Sequence, residues 1–531
     1  MAAGLLLKMA GFCVWALFWL GRQSATVNPR AGEAFAGGEA VVVDARSAIA
    51  VTDEDFDLSN KILLNAVKAF SPLKLRLGGS LQDMLIYHTG DTQQPCTPFV
   101  KNSSAMFGFS KGCLPLHRWD ELNAFFKESG ANIIFGLNAL NCRVPMPDGS
   151  LGGPWNYTNA ASFIRYTVNK GYGIRGWELG NELSGSGVGA RIDAYQYAAD
   201  VITLKQIVDS TYQGSSKPLV LAPGGFFDAA WFTELVGKTK PNQLDAITHH
   251  IYNLGPGVDD HLIEKILNPS YLDGMMSTFS NIQGILKSAG TSTVAWVGEA
   301  GGAYNSGHHL VTDAFVFQLL TLVGGNYGLL NTTTFEPNPD YYSALLWHRL
   351  MGTKVLSTTF NGTNMIRAYA HCARNSDGIT LLLINLSGTN TDHIYVTTEG
   401  LKEGGSGFSH IPGLGKAAVL TREEYHLTPR DGKLQSQQVL LNGNVLATDA
   451  NGDIPKLEPV QVEGTQPITV APYSIEGITL LLINLSGTNT PRVQGRREEG
   501  SVTFLNLVKL LCSQEEGTIS HPKKENFRAN K

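Results

Sequence analysis

Two glutamates carry the clearest chemical signal in this chain. Glu182 closes the run Gly176-Trp177-Glu178-Leu179-Gly180-Asn181-Glu182, and Glu299 stands in Val294-Ala295-Trp296-Val297-Gly298-Glu299-Ala300. Each ends an apolar, strand-like run, the place where a side chain faces a cleft in proteins built from alternating strands and helices. Two carboxylates so placed are what cleavage of a glycosidic bond requires, one to protonate the leaving oxygen and one to attack the sugar carbon. Alone, either could cap a following helix or pair with Arg175. Glu178 shares the strand side of Glu182 but lies inside the apolar run, which favours a buried structural role.

The elements that must position this pair follow from periodicity. Apolar strand-like runs at 73–77, 132–137, 174–179, 219–223, 245–252, 293–298 and, more weakly, 319–323 alternate with amphipathic stretches such as 59–69, 118–129, 193–209 and 271–288. Alternation on this scale implies parallel strands with right-handed crossovers. An open nucleotide-binding sheet would need a G-x-G-x-x-G turn after its first strand, and Leu77-Gly78-Gly79-Ser80 lacks that spacing. The expected fold is therefore α/β, a (β/α)8 barrel over residues 57–350. With one strand ahead of Leu73, the Glu182 and Glu299 strands become fourth and seventh, and a retaining mechanism then asks for about 5 to 5.5 Å between the carboxylates. From Met351 the pattern changes to short β runs between Gly, Asn and Asp turns, an appended all-β sandwich over 351–476, to which the N-terminal stretch 38–56 is expected to add a strand.

A chain of 531 residues, 43% hydrophobic and 16% charged, can bury a large core, and its net charge of -5 gives no electrostatic reason to expect nucleic acid. Residues 1–25, with Lys8, an apolar run from Met9 to Leu20 and small residues at Ser24 and Ala25, read as a secretory signal. The alternative is weak membrane association through a short anchor, although a spanning helix needs ~20 apolar residues. Sequons at Asn102, Asn156, Asn331, Asn361, Asn385 and Asn484 fit a secreted glycoprotein, and Cys96 with Cys113 is the expected disulfide. His249, His250 and His261 lack a zinc-pair spacing, so neither metal nor cofactor is expected; structural or substrate-lining roles suit them better. Trp155, beside Asn156, is a candidate for stacking on sugar.

In order, Leu75-Arg76-Leu77-Gly78-Gly79-Ser80, Trp177 to Glu182, His249-His250-Ile251-Tyr252, Gly298 to Tyr304 and Gly325-Asn326-Tyr327 resemble the plant heparanase-like proteins of glycoside hydrolase family 79. The likeness spans roughly residues 38–475. It implies a retaining β-glucuronidase acting on glucuronic-acid-containing carbohydrate, in the cell wall or a vacuole-like compartment. Carried across, Glu182 resembles the general acid/base and Glu299 the nucleophile. Asn181 resembles the residue that binds the sugar 2-hydroxyl and Tyr252 the tyrosine that orients the nucleophile. Tyr327, with backbone amides around 305–307, resembles the clamp on the uronic carboxylate.

The chain departs from that family's pattern in three places. After Val51 to Phe56 the pattern continues with a first barrel strand bearing a cleft Asp, but here Asp57-Leu58-Ser59-Asn60 follows at once, so that strand is expected to be missing. A helix is expected to be missing near Phe317. Residues 378–391, GITLLLINLSGTNT, recur identically at 477–490, and the polar tail to 531 reads as disordered. These departures keep open a carbohydrate-binding descendant without turnover, and a same-clan glycosidase on another sugar.

Overall fold

The computed structural model describes residues 42–46, 52, 56–304 apart from 91, 93–94, 257 and 302, 328–399 apart from 332, 357, 376–377 and 388, 421–430, 437–470 apart from 464–465, 478–484 and 501–505. Seven strands form one parallel sheet: β1 (Val42–Arg46), β2 (Leu73–Gly78), β3 (Ala131–Leu137), β4 (Ile174–Leu179), β5 (Leu219–Phe226), β6 (Ala246–Tyr252) and β7 (Val294–Gly301). They are hydrogen-bonded in sequence order. The sheet curls, so that Cα atoms of β1 and β7 come within 8 Å of one another.

Every residue of β2 and of β6 is buried, the mark of strands covered outside by crossover helices and inside by the side chains of the curled sheet. Those helices include α1 (Lys61–Lys68), α2 (Leu116–Ser129), α3 (Thr158–Asn169), α4 (Ala194–Thr211), α5 (Ala229–Thr239) and α6 (Met276–Ala289). Their starts are written locally: the side chains of Asn60, Asp193 and Asp228 accept hydrogen bonds from the first free N–H groups of α1, α4 and α5. On α1, Leu63, Ala66 and Val67 share the buried face at helical spacing.

Residues 57–60 form no strand, as expected, but β1 fills the first position of the sheet and corrects the expectation that 38–56 joins the sandwich. Val42–Arg46 pairs in parallel with β2, from Val42 opposite Lys74 to Arg46 opposite Gly78. It therefore occupies the first position of the parallel sheet and does not join the C-terminal strands. The segment from Arg46 to Leu73 carries α1, long enough for the crossover that parallel pairing demands. The eighth-strand expectation at 319–323, the signal segment and the tail beyond 505 lie outside the described residues.

From Met351 on, the regular elements among the described residues are strands. One sheet runs Met351–Leu356, Ile366–Ala373, Gly378–Asn385, Ile478–Asn484, Thr421–Pro429, Val439–Leu441, Asn444–Val445, and a second holds Thr358–Asn361, Ser501–Leu505, Asp392–Glu399 and Ile468–Val470. Alternate residues of Gly378–Asn385 serve two cores: Leu381 and Leu383 pack with Ile394, Ile468 and Val470, while Leu382 and Ile384 belong to the main core. The repeated segments lie side by side and antiparallel, Gly378 opposite Asn484, Ile379 opposite Ile483 and Leu381 opposite Leu481.

Cys96 and Cys113 are disulfide-bonded, closing the loop between the short paired strands Leu85–Tyr87 and Gly112–Leu114. Asn102, Asn156 and Asn361 are exposed, but Asn385 is fully buried, its amide donating to the carbonyl oxygen of Asn390. Trp155 is buried and its indole N–H donates to the carbonyl of Asn138, which corrects the stacking expectation: it is a core residue. Among the described residues no helix is long and apolar enough to cross a membrane.

Candidate active site

β4 ends at Leu179, and the chain then turns sharply through Gly180 (φ +70°), Asn181 and Glu182 (φ +55°). The left-handed backbone at Gly180 needs glycine, because a Cβ there would meet Tyr197 Oη at 2.6 Å. Glu182 adopts the same region with a full side chain, a strain of order 1 to 3 kcal/mol that persists only where the surroundings over-determine it. They do so here. The N–H of Glu182 donates to the Gly224 carbonyl at 2.7 Å, its carbonyl accepts from the N–H of Val188 at 2.9 Å, and the N–H of Asn181 donates to Asp83 Oδ2 at 2.8 Å.

Asp83 is buried and also accepts from the N–H of Ala139 at 2.7 Å, so one carboxyl ties the end of β3 to the Glu182 turn. Burial pushes it up to about 7, despite the opposing pull of those two N–H groups and of Arg143 and Arg76.

Glu299 is placed from the other side by a bulge. Between β6 and β7 the register shifts after His249, so that His250 lies opposite Glu299. Arg76, on β2, donates through Nη1 to Glu299 Oε1 at 2.9 Å, and Tyr252 donates its hydroxyl to Glu299 Oε2 at 2.8 Å. The same guanidinium reaches Asn181 Oδ1 through Nη2 at 2.9 Å and Glu178 Oε2 through Nε at 2.5 Å. Both Arg76 and Glu178 are shut off from solvent. His250, two residues before Tyr252 and on the same face of β6, sits between the two glutamates, with Nδ1 at 3.0 Å from Glu182 Oε1 and 3.7 Å from Glu299 Oε2. One ligand-type atom from each of Glu182, His250 and Glu299 lies within 4.8 Å of the other two.

The structure thus brings together Asn181 and Glu182, in the turn after the fourth strand, with Tyr252 on the sixth and Glu299 on the seventh. Tyr327 and the 305–307 loop lie outside the described residues. Sequence reasoning assigned no role to Arg76, Asp83 or His250 as partners of the pair. The available signal was a lone arginine inside the apolar β2. The cation at the site is Arg76, whereas Arg175 is exposed on β4. His249 turns away, its Nδ1 on the Trp296 carbonyl at 3.0 Å, and burial depresses it to about 3. His261 is exposed, facing Glu264 at 3.3 Å. The three histidines therefore form no common cluster.

The glycosyl hydrolase family 79 N-terminal domain matches residues 43–323, the span that holds the whole constellation. The chain belongs to glycosyl hydrolase family 79. This family 79 chain is a glycoside hydrolase, and it is 55% identical over 450 residues to heparanase-like protein 3 of Arabidopsis thaliana, covering 79% of this chain and 84% of that one. It is 43% identical over 455 residues to the baicalin-beta-D-glucuronidase of Scutellaria baicalensis, covering 79% and 82%. In fold, the family 79 chain is similar to a 4-O-alpha-L-rhamnosyl-beta-D-glucuronidase from Fusarium oxysporum, with a TM-score of 0.55 at 16% identity, covering 84% of this chain and 96% of that one.

Proposed function

We propose that this glycoside hydrolase is a secreted retaining β-glucuronidase working by double displacement. The observation that carries the reading is the facing pair Glu182 and Glu299, with His250 Nδ1 3.0 Å from one carboxylate and 3.7 Å from the other. So close a pair leaves no room for the water that an inverting mechanism interposes at separations of about 6.5 to 9.5 Å.

Glu299 attacks the anomeric carbon while Glu182 gives its proton to the leaving oxygen; a water, deprotonated by Glu182, then attacks the glycosyl ester and restores both side chains. Donors on both oxygens of Glu299, from Arg76 and Tyr252, hold and aim it. Asn181, whose amide oxygen is held by Arg76, keeps its amide N–H groups for the sugar 2-hydroxyl. The glucuronosyl assignment rests on the motif order through Tyr327 and on the glucuronidase relative. We read the two C-terminal sheets, which share the core of Leu381, Leu383, Ile394 and Val470, as a sandwich appended to a closed barrel. The N-terminal signal pattern and the exposed sequons support export, and the presence of β1 in the first position of the sheet supports turnover over a binding-only descendant.

Proton NMR of the first-formed sugar from 4-nitrophenyl β-D-glucuronide tests the mechanism. The β-anomer of glucuronic acid should appear first, and Glu182→Gln and Glu299→Gln should each lower kcat by about 10^3-fold or more. An α-anomer appearing first, or full turnover in either variant, refutes the reading.

A further inference from the structure

A cavity of about 580 Å³ opens at the C-terminal ends of β5 and β6. His250 and Tyr252, which touch the two glutamates, form one of its walls, so it borders the reaction centre. His250 stands nearer to Glu182, at 3.0 Å, than to Glu299, at 3.7 Å, so its wall of the cavity adjoins the group that hands a proton to the departing oxygen. Resting on the β-glucuronidase reading, this places it as the pocket for the group attached to the glucuronosyl unit.

Its lining tells what that group is. Phe226, Phe227, Ile251, Tyr252, Tyr271 and Met275 supply aromatic rings and apolar side chains, and no Lys, Arg, Asp or Glu occurs among the described lining residues. The Phe226 ring stands 5.9 Å from that of Tyr252 and 6.4 Å from that of His250, so aromatic faces continue from the catalytic pair into the cavity. Tyr271 is 45% exposed, an aromatic side chain left at the rim. The nearby ammonium of Lys265, 5.8 Å from the Tyr271 ring, is bonded to Asp259 and is not offered to an anion. A charged glycan needs cations to replace its lost hydration. A flat aromatic group needs what is found here, ring faces and a volume inside the usual range of about 300 to 1,000 Å³ for small-molecule sites.

We propose that this cavity is an aglycone subsite for a planar aromatic group, making the chain an aryl β-glucuronidase and not a depolymerase of anionic glycan. Tyr271 and Phe227 determine this specificity by stacking on the aglycone, and they do not touch the sugar.

The test uses the full secreted chain with 4-methylumbelliferyl β-D-glucuronide and methyl β-D-glucuronide, in the wild type and in Tyr271→Ala and Phe227→Ala, together with fluorescence titration of free 4-methylumbelliferone. Both variants should raise KM for the aryl substrate about tenfold, leave kcat/KM for the methyl glycoside unchanged, and weaken 4-methylumbelliferone binding by the same factor. Equal losses on both substrates, or a folded wild type that does not bind 4-methylumbelliferone, would overturn the proposal. The two readings separate: binding of 4-methylumbelliferone that the variants weaken, without hydrolysis of any glucuronide, supports the aromatic subsite and refutes the glucuronidase assignment.

Discussion

Arg76 and Glu178 form an ion pair wholly inside the parallel sheet, Nε to Oε2 at 2.5 Å, with neither side chain reaching solvent. Glu178 therefore fixes the plane of a guanidinium whose other two nitrogens hold Glu299 and Asn181. One buried cation orients two side chains of the candidate site.

The first prediction concerns that fork. A lysine keeps the charge but cannot reproduce three directed contacts. Arg76→Lys should lower kcat/KM on the order of 100-fold or more, while Glu178→Gln, which removes one of the two carboxylates paired with the guanidinium and keeps the shape, should cost about 1 to 3 kcal/mol of stability, Glu299 still matching the cation. Steady-state kinetics and urea unfolding measure the two separately. A lysine variant with wild-type kinetics would show that the fork is dispensable.

The second concerns Asp83. Its carboxyl, raised from 3.8 to about 7, holds its proton more tightly in the native state than in the unfolded chain. Between about pH 4 and pH 7 the native state thus keeps a proton that the unfolded state has released, so its contribution to stability falls as pH rises, by on the order of 4 kcal/mol across the window. Below that window both states are protonated and the penalty is absent. Asp83→Asn has no proton to lose, so the stability of the wild type relative to this variant should decline from pH 4.5 to pH 7.5. Urea midpoints at the two pH values decide it, and a constant difference would contradict the assignment.

Gly224 yields a third. It sits on β5 at φ +53°, and a Cβ there would approach Glu178 Oε1 at 3.1 Å and Arg76 Nη2 at 3.2 Å. Gly224→Ala should destabilise the fold by about 1 to 3 kcal/mol and lower activity through the displaced guanidinium. Thermal unfolding alongside kcat/KM should move together; stability loss with intact activity would mean that the strain relaxes away from the site.

The Cys96–Cys113 bond gives the fourth. Its ends are 17 residues apart, for which constraint of the unfolded chain predicts about 3 kcal/mol. The double Cys→Ser variant should lose that much in a denaturant titration, and an unchanged midpoint would contradict it.

The carboxylates were legible because each closes an apolar strand, and strand ends face the cleft whatever the details of packing. Tyr252 was legible only through a motif order. The role of Arg76 was not, because its partners come from strands separated by 102 and 223 positions along the chain, and periodicity carries no information about strand neighbours. The same limit explains β1: a short Val-rich run suits either a parallel or an antiparallel partner, and only the sheet decides. The position of His250 depends on a bulge, a one-residue shift that leaves no trace in an apolar pattern. Trp155 was misread because adjacency to a sequon says nothing about which way an indole turns.

The two copies of GITLLLIN meet head to tail, so that the first residue of one faces the eighth of the other and the pairing reads the same from either strand. Such a pairing is two-fold symmetric, and a duplicate laid beside its template arrives with a matched neighbour. Gain of a strand by copying then requires no new complementarity to evolve. The cost is that the segment carries the same invitation to any other copy of this chain, accepted whenever the sheet opens and the edge is bare.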